Sequence, residues 1–147
     1  MIISFAHTTG ALLSGQKTVT RRDWADRHVT HFHEGDLVQA WDKLPRAHGQ
    51  HVANIRLTTA PQREPLLVMP DSDYEAEGFG WLYAFYKDLP REIWGTRITN
   101  RRQLSREWFE RWRRVDCALW VVRFELIRDE LWDRSRVDFL ANRGVGQ

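Results

Sequence analysis

A helix end followed at once by a short alternating strand constrains this chain more than any other stretch. Residues 12–22 read Leu-Leu-Ser-Gly-Gln-Lys-Thr-Val-Thr-Arg-Arg. Gly15 is the residue type that can close a helix in the left-handed conformation, so we expect the preceding helix to end there. The β-branched residues that follow alternate with other types, which predicts a strand over 18–22.

This predicted strand presents an unusual polar face. Thr20 and Arg22 would point to one side of the strand, and Val19 and Arg21 to the other, because successive side chains alternate between faces. Lys17 would then lie at the mouth of the polar face. Two interpretations stay open at this point: a cleft lined by the polar side chains, or a solvated edge strand that follows a capped helix.

The length of the chain and its single cysteine limit the kind of protein it can be. At 147 residues, the chain forms most simply one domain with a core of its own. Cys117 has no second cysteine with which to form a disulfide, which favours a reducing, cytoplasmic location. We expect a soluble protein without a membrane partner, because no segment approaches the ~20 apolar residues that span a bilayer.

Arginine supplies nearly all of the positive charge. The formal net charge is only +2, and lysine occurs at positions 17, 43 and 87 alone. The planar guanidinium fork suits phosphates and base edges, so this usage hints at nucleic acid. The eight tryptophans can serve either as core filler or as stacking surfaces for bases.

The remaining pattern predicts an α+β fold whose strands curl into a small barrel or a strongly bent sheet. Apolar or alternating runs predict strands at 1–5, 18–22, 37–41, 51–58 and 118–126. The third and fourth of these should form an antiparallel pair, and the last should be central in the sheet. Capping residues predict helices that begin at Thr8 or Thr9, at 71–73 and at Ser105.

Other stretches carry signals against regular structure. Three prolines at 61, 65 and 70 argue against it there, and we read 23–33 as a loop and 90–100 as a connector. Gly78 and Gly80 should interrupt the helix that begins near residue 71. The tail over 128–140 is loosely amphipathic, and we expect 141–147 to be frayed.

The loop at 23–33 contains a group of histidines that invites a metal hypothesis. His28, His31 and His33 are not joined by carboxylate or thiol partners at a recurring ligand spacing. We therefore predict no metal site, and nothing in the sequence calls for a cofactor.

Three short motifs point to a known family. They are residues 15–22 (Gly-Gln-Lys-Thr-Val-Thr-Arg-Arg), 35–38 (Gly-Asp-Leu-Val) and 75–79 (Glu-Ala-Glu-Gly-Phe). Together they resemble the ASCH domain family, a branch of the PUA-like superfamily, over residues 1–127, and they leave 128–147 as a C-terminal helical tail. The resemblance implies a PUA-like β-barrel of five to six mostly antiparallel strands, with flanking helices and a cleft that faces nucleic acid or a nucleoside.

The same resemblance implies a catalytic set. Some members of this family are small amidohydrolases that act on acetylcytidine, and the corresponding residues here are Lys17, Thr20 and Glu77. Other members resemble ribonucleases or RNA-binding modules. The chain differs from the small amidohydrolases in its long 23–34 insert, in the aromatic run after Gly80 and in its extra tail.

These residue types are compatible with amide hydrolysis. A threonine hydroxyl is a poor nucleophile until a neighbour accepts its proton, and a lysine can do so if burial lowers its pKa toward neutrality. Glu77 would oppose that shift, so it fits better as a base for water or an acid for the leaving amine. The alternative is a Lys17–Glu77 ion pair with Thr20 as a hydrogen-bond partner and no chemistry.

Further residues are candidate contacts for a substrate or a nucleic acid. Arg21, Arg22 and Trp24 lie near the predicted catalytic residues in sequence. The segment 97–114 contains seven arginines, and we predict that Arg101, Arg102 and Arg106 hold the phosphates of a single strand. A solvated helix face is the alternative for this segment.

Three functions are compatible with these features. The first is a hydrolase that acts on a modified nucleoside or on RNA. The second is a non-catalytic module that binds RNA, or single-stranded DNA, through the same cleft. The third is an interaction protein whose tryptophans dock another protein, and the sequence predicts no oligomeric state for any of them.

Overall fold

The structure, a computed structural model, describes residues 1–144. Its strands are β1 (Ile2–Ser4), β2 (Val19–Arg22), β3 (Leu37–Trp41), β4 (His51–Leu57), β5 (Gln62–Pro65), β6 (Glu92–Ile93), β7 (Thr96–Arg97) and β8 (Ala118–Ile127). Its helices are α1 (Thr9–Leu13), α2 (Asp26–Val29), α3 (Asp73–Ala76), α4 (Phe79–Phe85), α5 (Arg106–Trp112) and α6 (Glu130–Gly144). Short 3₁₀ turns lie at Ala6–Thr8, Pro45–Ala47, Leu66–Val68 and Arg101–Leu104.

Six of the strands form one sheet, in the order β1-β3-β4-β8-β2, with β5 also paired to β8. β1 runs parallel to β3, and the other pairs are antiparallel. β8 pairs with three strands, so its predicted central position is confirmed, as is the predicted antiparallel pair of β3 and β4. The mixed α+β class of the fold is confirmed as well.

The sheet is open between its two end strands. Among the described residues β1 and β2 do not pair with each other, so the predicted closed barrel is not observed. A side chain spans the gap instead, because Arg22 Nη2 donates to Ser4 O (2.5 Å). The first strand has only three residues, which leaves little backbone for a ladder with β2.

Two groups of buried side chains form the core, and α1 lies between them. Its Leu12 and Leu13 pack with side chains of β1, β3, β4 and β8. Its Ala11 packs with side chains of α3, α4 and α5. The segment that leaves α1 therefore starts at the junction of the two groups, and this position determines where Lys17 lies.

The C-terminal helix α6 packs against α1 and β4. Trp132 Nε1 donates to Leu13 O (2.9 Å), and Phe139 packs against both core groups. The frayed end predicted for 141–147 is wrong for 141–144, which complete the helix, and 145–147 lie outside the described residues.

Four local predictions are wrong for identifiable reasons. The proline-rich stretch forms β5, which tolerates Pro65 because this residue is the last of the strand. The predicted loop at 23–33 contains α2, which buries Val29 toward the core. The predicted connector at 90–100 contains the β6–β7 hairpin. Gly80 lies inside α4, so of the two glycines only Gly78 lies between the helices.

Glycines in the left-handed conformation end two helices, as the sequence predicts for Gly15 (φ 85°) and Gly78 (φ 96°). Ser105 caps α5 as predicted, because its hydroxyl accepts a hydrogen bond from Trp108 N. Thr8 precedes α1 but does not cap it, since its hydroxyl donates to Phe5 O (2.7 Å).

Gly78→Ala is expected to destabilise the protein by about 2–5 kcal/mol. The left-handed backbone costs an alanine about 1–2 kcal/mol, and the new Cβ would lie 2.8 Å from Ala11 Cβ, which adds about 1–3 kcal/mol of overpacking. Gly35→Ala is the matched control, because Gly35 has φ +86° and nothing lies within 4 Å of its Cβ position. Urea denaturation measures both variants, and equal losses would contradict the steric part of this prediction.

Candidate active site

A cavity of about 180 Å³ lies where the start of β2 meets the end of α3. Its wall includes Lys17 from the approach to β2, Thr20 from β2, and Glu77 from the residue after α3. The turn Ala6–Thr8 and the β6–β7 hairpin complete the wall. The structure therefore brings the three predicted catalytic residues together, although their catalytic roles stay a prediction.

Lys17 is buried, with only 2% of its surface exposed. The left-handed Gly15 turns the chain after α1, and Lys17 N then donates to Ala11 O (3.1 Å). At the other end of the side chain, Nζ donates to Glu77 O (2.6 Å) and lies 3.4 Å from Glu77 Oε1. The predicted proximity of Lys17 and Glu77 is confirmed.

Burial lowers the pKa of Lys17 to about 8, because a buried ammonium loses its hydration. Glu77 opposes this shift, as the sequence predicts, while the positive charges of Arg22 and Arg21 add to it. At pH 7 roughly one Lys17 side chain in ten is then a neutral amine. Lysines with a pKa near 7–8 are suited to accept protons in catalysis.

Asp73 is the centre of a buried set of ion pairs. Arg21 Nη2 donates to Asp73 Oδ2 (2.6 Å), and Arg123 donates to both carboxylate oxygens (3.0 and 2.9 Å). Arg21 also reaches Glu77, through Nη1 and Oε2 (3.0 Å). Burial acts to raise the pKa of Asp73, but hydrogen bonds from Arg123 and Arg21 hold it below its usual value.

The helix-capping role predicted for residues 71–73 is therefore wrong at the first turn of α3. Ser72 occupies the N-cap position without a side-chain hydrogen bond to the helix amides. Asp73 points to the arginines of β2 and β8 instead. This arrangement fixes Glu77 one turn further along, because Glu77 N donates to Asp73 O (2.8 Å).

Thr20 and Arg22 share a face of β2, as the alternation predicts. Thr20 is 4% exposed, and its Oγ1 accepts a hydrogen bond from Arg22 Nε (3.1 Å). The hydroxyl proton of Thr20 is then free to be donated elsewhere. A positively charged donor on the oxygen also favours the alkoxide over the hydroxyl form.

Cations outnumber carboxylates around the cavity. The charged side chains in its wall or in the ion pairs beside it are Lys17, Arg21, Arg22, Arg123, Asp73, Glu77 and Glu92. Asp73 and Glu77 each pair with two cations. Arg22 forms no ion pair with a carboxylate in residues 1–144, so its guanidinium contributes to the excess of positive charge. Such a field favours negative charge inside the cavity.

Sequence reasoning misses the wall residues of the turn Ala6–Thr8 and of the β6–β7 hairpin, among them Ala6, His7 and Trp94. Ala6 (φ 44°) and Trp94 (φ 50°) adopt the left-handed backbone that residues other than glycine disfavour. The Trp94-Gly95 pair lies at the tip of a short hairpin, and it is the one sequence signal that could have revealed this turn. His7 carries no sequence signal. Burial, Lys17 and Arg22 lower its pKa to about 4, so the imidazole is neutral at pH 7.

Of the three binding residues predicted near Thr20, Arg21 and Trp24 differ in what they contact. Arg21 lines the cavity, but its guanidinium is occupied by Asp73 and Glu77. Trp24 stacks on Phe32 with the ring centroids 4.7 Å apart and packs against the core. It is not in the wall of the cavity.

The wall of this cavity includes none of the residues 97–114 of the arginine-rich segment. Arg101 donates to Leu82 O, Tyr83 O and Tyr86 O, and so holds the C-terminal end of α4. Arg106 lies over the ring of Tyr74 (5.2 Å). Arg102 is exposed to solvent. The phosphate-binding role of these three arginines stays a prediction.

A larger cavity of about 470 Å³ adjoins the site and shares Ala6 and His7 with it.

Within residues 1–144 no group of three His, Cys, Asp or Glu side chains is placed to hold a metal ion. In the same part of the chain, no helix is long and apolar enough to cross a membrane.

Comparison of this chain with protein-family models, with curated proteins and with solved structures found no match. The class of the protein therefore follows from the structure itself: an α+β fold with a cavity whose wall contains a buried lysine, a carboxylate and a hydroxyl.

Proposed function

We propose that this protein is an amidohydrolase of the ASCH type, which removes an acyl group from the exocyclic amine of a nucleobase, as in acetylcytidine. The main support is the fully buried Lys17, whose pKa of about 8 lies near neutrality, in the wall of a cavity that also contains Thr20 and Glu77. Similarity of the three motifs to the ASCH family supplies the substrate class.

The finer fold assignment is part of the same proposal. In a PUA-like barrel the strands curl around one core, and here β8 pairs along both of its edges while Arg22 links the two end strands. We also propose a cytoplasmic location, which the free thiol of Cys117 favours.

In the first chemical step Lys17 acts as the base and Thr20 as the nucleophile. The neutral amine of Lys17 accepts the proton of Thr20 as Oγ1 attacks the acyl carbon, and the carbonyl oxygen takes up the electron pair. When the tetrahedral intermediate collapses, the C–N bond breaks, and the leaving amine takes the proton from the Lys17 ammonium. The acyl group then remains on Thr20 as an ester.

The second step restores the enzyme. Glu77 accepts a proton from a water molecule, whose oxygen attacks the ester carbon. The bond between this carbon and Thr20 Oγ1 breaks, and Thr20 recovers its proton from Glu77. The products are the free carboxylic acid and the free nucleobase amine.

The size of the cavity limits how much of the substrate enters it. At about 180 Å³, it is smaller than the 300–1,000 Å³ of typical small-molecule sites. It has room for the acyl amide and part of the base, so the sugar would lie outside. The adjoining larger cavity is reached past His7 and Ala6, which border both.

A non-catalytic RNA-binding function is the second candidate. It is supported by exposed arginines at positions 102, 111 and 114, of which Arg111 lies over the ring of Trp108 (4.5 Å). Phosphates bound to such residues would give a salt-dependent affinity. The occupied guanidinium groups of Arg101 and Arg113 weaken this candidate.

The experiment that tests the proposal offers both kinds of ligand to the purified protein. Acetylcytidine is incubated with it, and cytidine and acetate are measured by chromatography. In parallel, a fluorescent single-stranded RNA is titrated at low salt. We expect release of both products. Salt-dependent RNA binding without any release would favour the second candidate and contradict the first.

A further inference from the structure

Arg22 has a different environment from the other cations of the site. Lys17, Arg21 and Arg123 each form an ion pair with Asp73 or Glu77. Arg22 forms none with a carboxylate of residues 1–144, and it donates only to the uncharged oxygens of Thr20 and Ser4. Arg22 is half-buried, and a guanidinium that is partly removed from water without a negative partner is stabilised by an anion that completes its surroundings.

The guanidinium of Arg22 keeps donors for such an anion. It has five N–H groups, and the two described hydrogen bonds use one on Nε and one on Nη2. The remaining N–H groups are on Nη1 and Nη2. Phe5 lies 5.8 Å from the guanidinium carbon and covers one side of the group, and Arg22 is part of the wall of the 180 Å³ cavity.

The other wall residues limit what kind of anion fits. Glu92 also borders the cavity, as does Glu77 with its two cation partners, so a dianion such as phosphate would be repelled more strongly than a monoanion. A carboxylate has a single negative charge, and its planar shape matches the fork of an arginine. The small volume excludes a polyanion such as an RNA backbone.

We propose that the cavity contains a carboxylate-binding site centred on Arg22, and that its ligand is the small acid that the proposed hydrolysis releases. The choice of acid rests on the proposed function, but the charge and shape argument for the anion does not. Arg22 also donates to Thr20, the proposed nucleophile. The carbonyl oxygen that becomes negative during the reaction and the carboxylate of the released acid would therefore both lie beside Arg22. The released acid would therefore compete with substrate.

The test measures binding of sodium acetate to the whole chain by isothermal titration calorimetry, with sodium chloride keeping the ionic strength constant. Acetamide is the matched control ligand, because it has the same shape as acetate and no charge. Inorganic phosphate is the control for a dianion. We expect acetate to bind at least tenfold more tightly than either control, since a hydrogen bond to a charged group contributes about 1.5–3 kcal/mol.

Two variants assign the binding to Arg22. Arg22→Gln should weaken acetate binding at least tenfold, because a neutral amide replaces the charged fork, and Arg22→Lys should restore part of it. Arg63→Gln is the matched control, since Arg63 is an exposed arginine on β5, which pairs with β8 as β2 does. It should leave acetate binding unchanged.

A measurement on the wild-type protein covers the case in which Arg22→Gln does not fold. Acetate added to ¹⁵N-labelled protein should shift the amide resonances of residues 20–22, and acetamide should not. Equal effects of acetate and acetamide, or full acetate binding by a folded Arg22→Gln variant, would overturn the proposal. Acetate binding without amide hydrolysis would leave this site in place and contradict only the proposed function.

Discussion

Asp73→Ala is expected to lower the free energy of unfolding by about 3–5 kcal/mol, the usual cost of removing one partner of a buried ion pair. The Asp73 side chain is 2% exposed and the Arg21 side chain 1%. Without Asp73, Arg21 keeps only Glu77, and Arg123 loses both of its described acceptors. Urea denaturation followed by circular dichroism measures the loss.

Asp71→Ala is the matched control for this variant. Asp71 lies two residues earlier and also contacts an arginine, Arg113, but its side chain is 71% exposed. Ion pairs at the surface contribute about 0–1 kcal/mol, so we expect a loss within that range. If the two alanine variants unfold at the same urea concentration, Asp73 is not the stabilising centre that the structure indicates.

Thr20→Val is expected to lower kcat/KM for acetylcytidine by about 10³-fold or more, because valine has nearly the same shape and no nucleophile. The chain would remain folded at a stability cost of about 1–3 kcal/mol, since Arg22 Nε loses an acceptor. A coupled assay for released acetate measures the activity.

Two further variants test whether the activity depends on the hydroxyl of Thr20 in particular. Thr20→Ser keeps an oxygen at the same position and should retain much of the activity. Thr18→Val removes a hydroxyl two residues away on an exposed side chain, and its kcat/KM should change by less than about twofold. Undiminished turnover by Thr20→Val would exclude Thr20 as the nucleophile.

The parts of the fold that the sequence predicts are those with a strong local signal. β3 and β8 are apolar runs of strand length, and both occur where the pattern places them. Gly15 and Gly78 adopt the left-handed backbone that only glycine takes easily. β5 is missed because a proline is tolerated at the end of an edge strand, as Pro65 is here. The sequence pattern alone does not reveal which strands lie at an edge of the sheet.

The candidate site is predicted in part, because a motif gives positions and not side-chain directions. The Lys17–Glu77 contact spans sixty residues, and only the resemblance to a family suggests it. The role of Asp73 is hidden, because an acid at the first turn of a helix normally serves the helix amides. The contacts of Arg101 are hidden for a similar reason, since an arginine that binds three carbonyl groups looks the same in sequence as one that binds phosphate.

The dependence of kcat/KM for acetylcytidine on pH tests most directly whether Lys17 acts as the base of an amidohydrolase. The neutral amine is the active form, and the pKa of Lys17 is about 8. We therefore expect kcat/KM to rise about tenfold per pH unit between pH 6 and 7.5 and to level off above pH 8.5. Lys17→Met should remove this rise together with the activity. No turnover at any pH, or a kcat/KM that stays constant or falls between pH 6 and 8.5, would contradict the account.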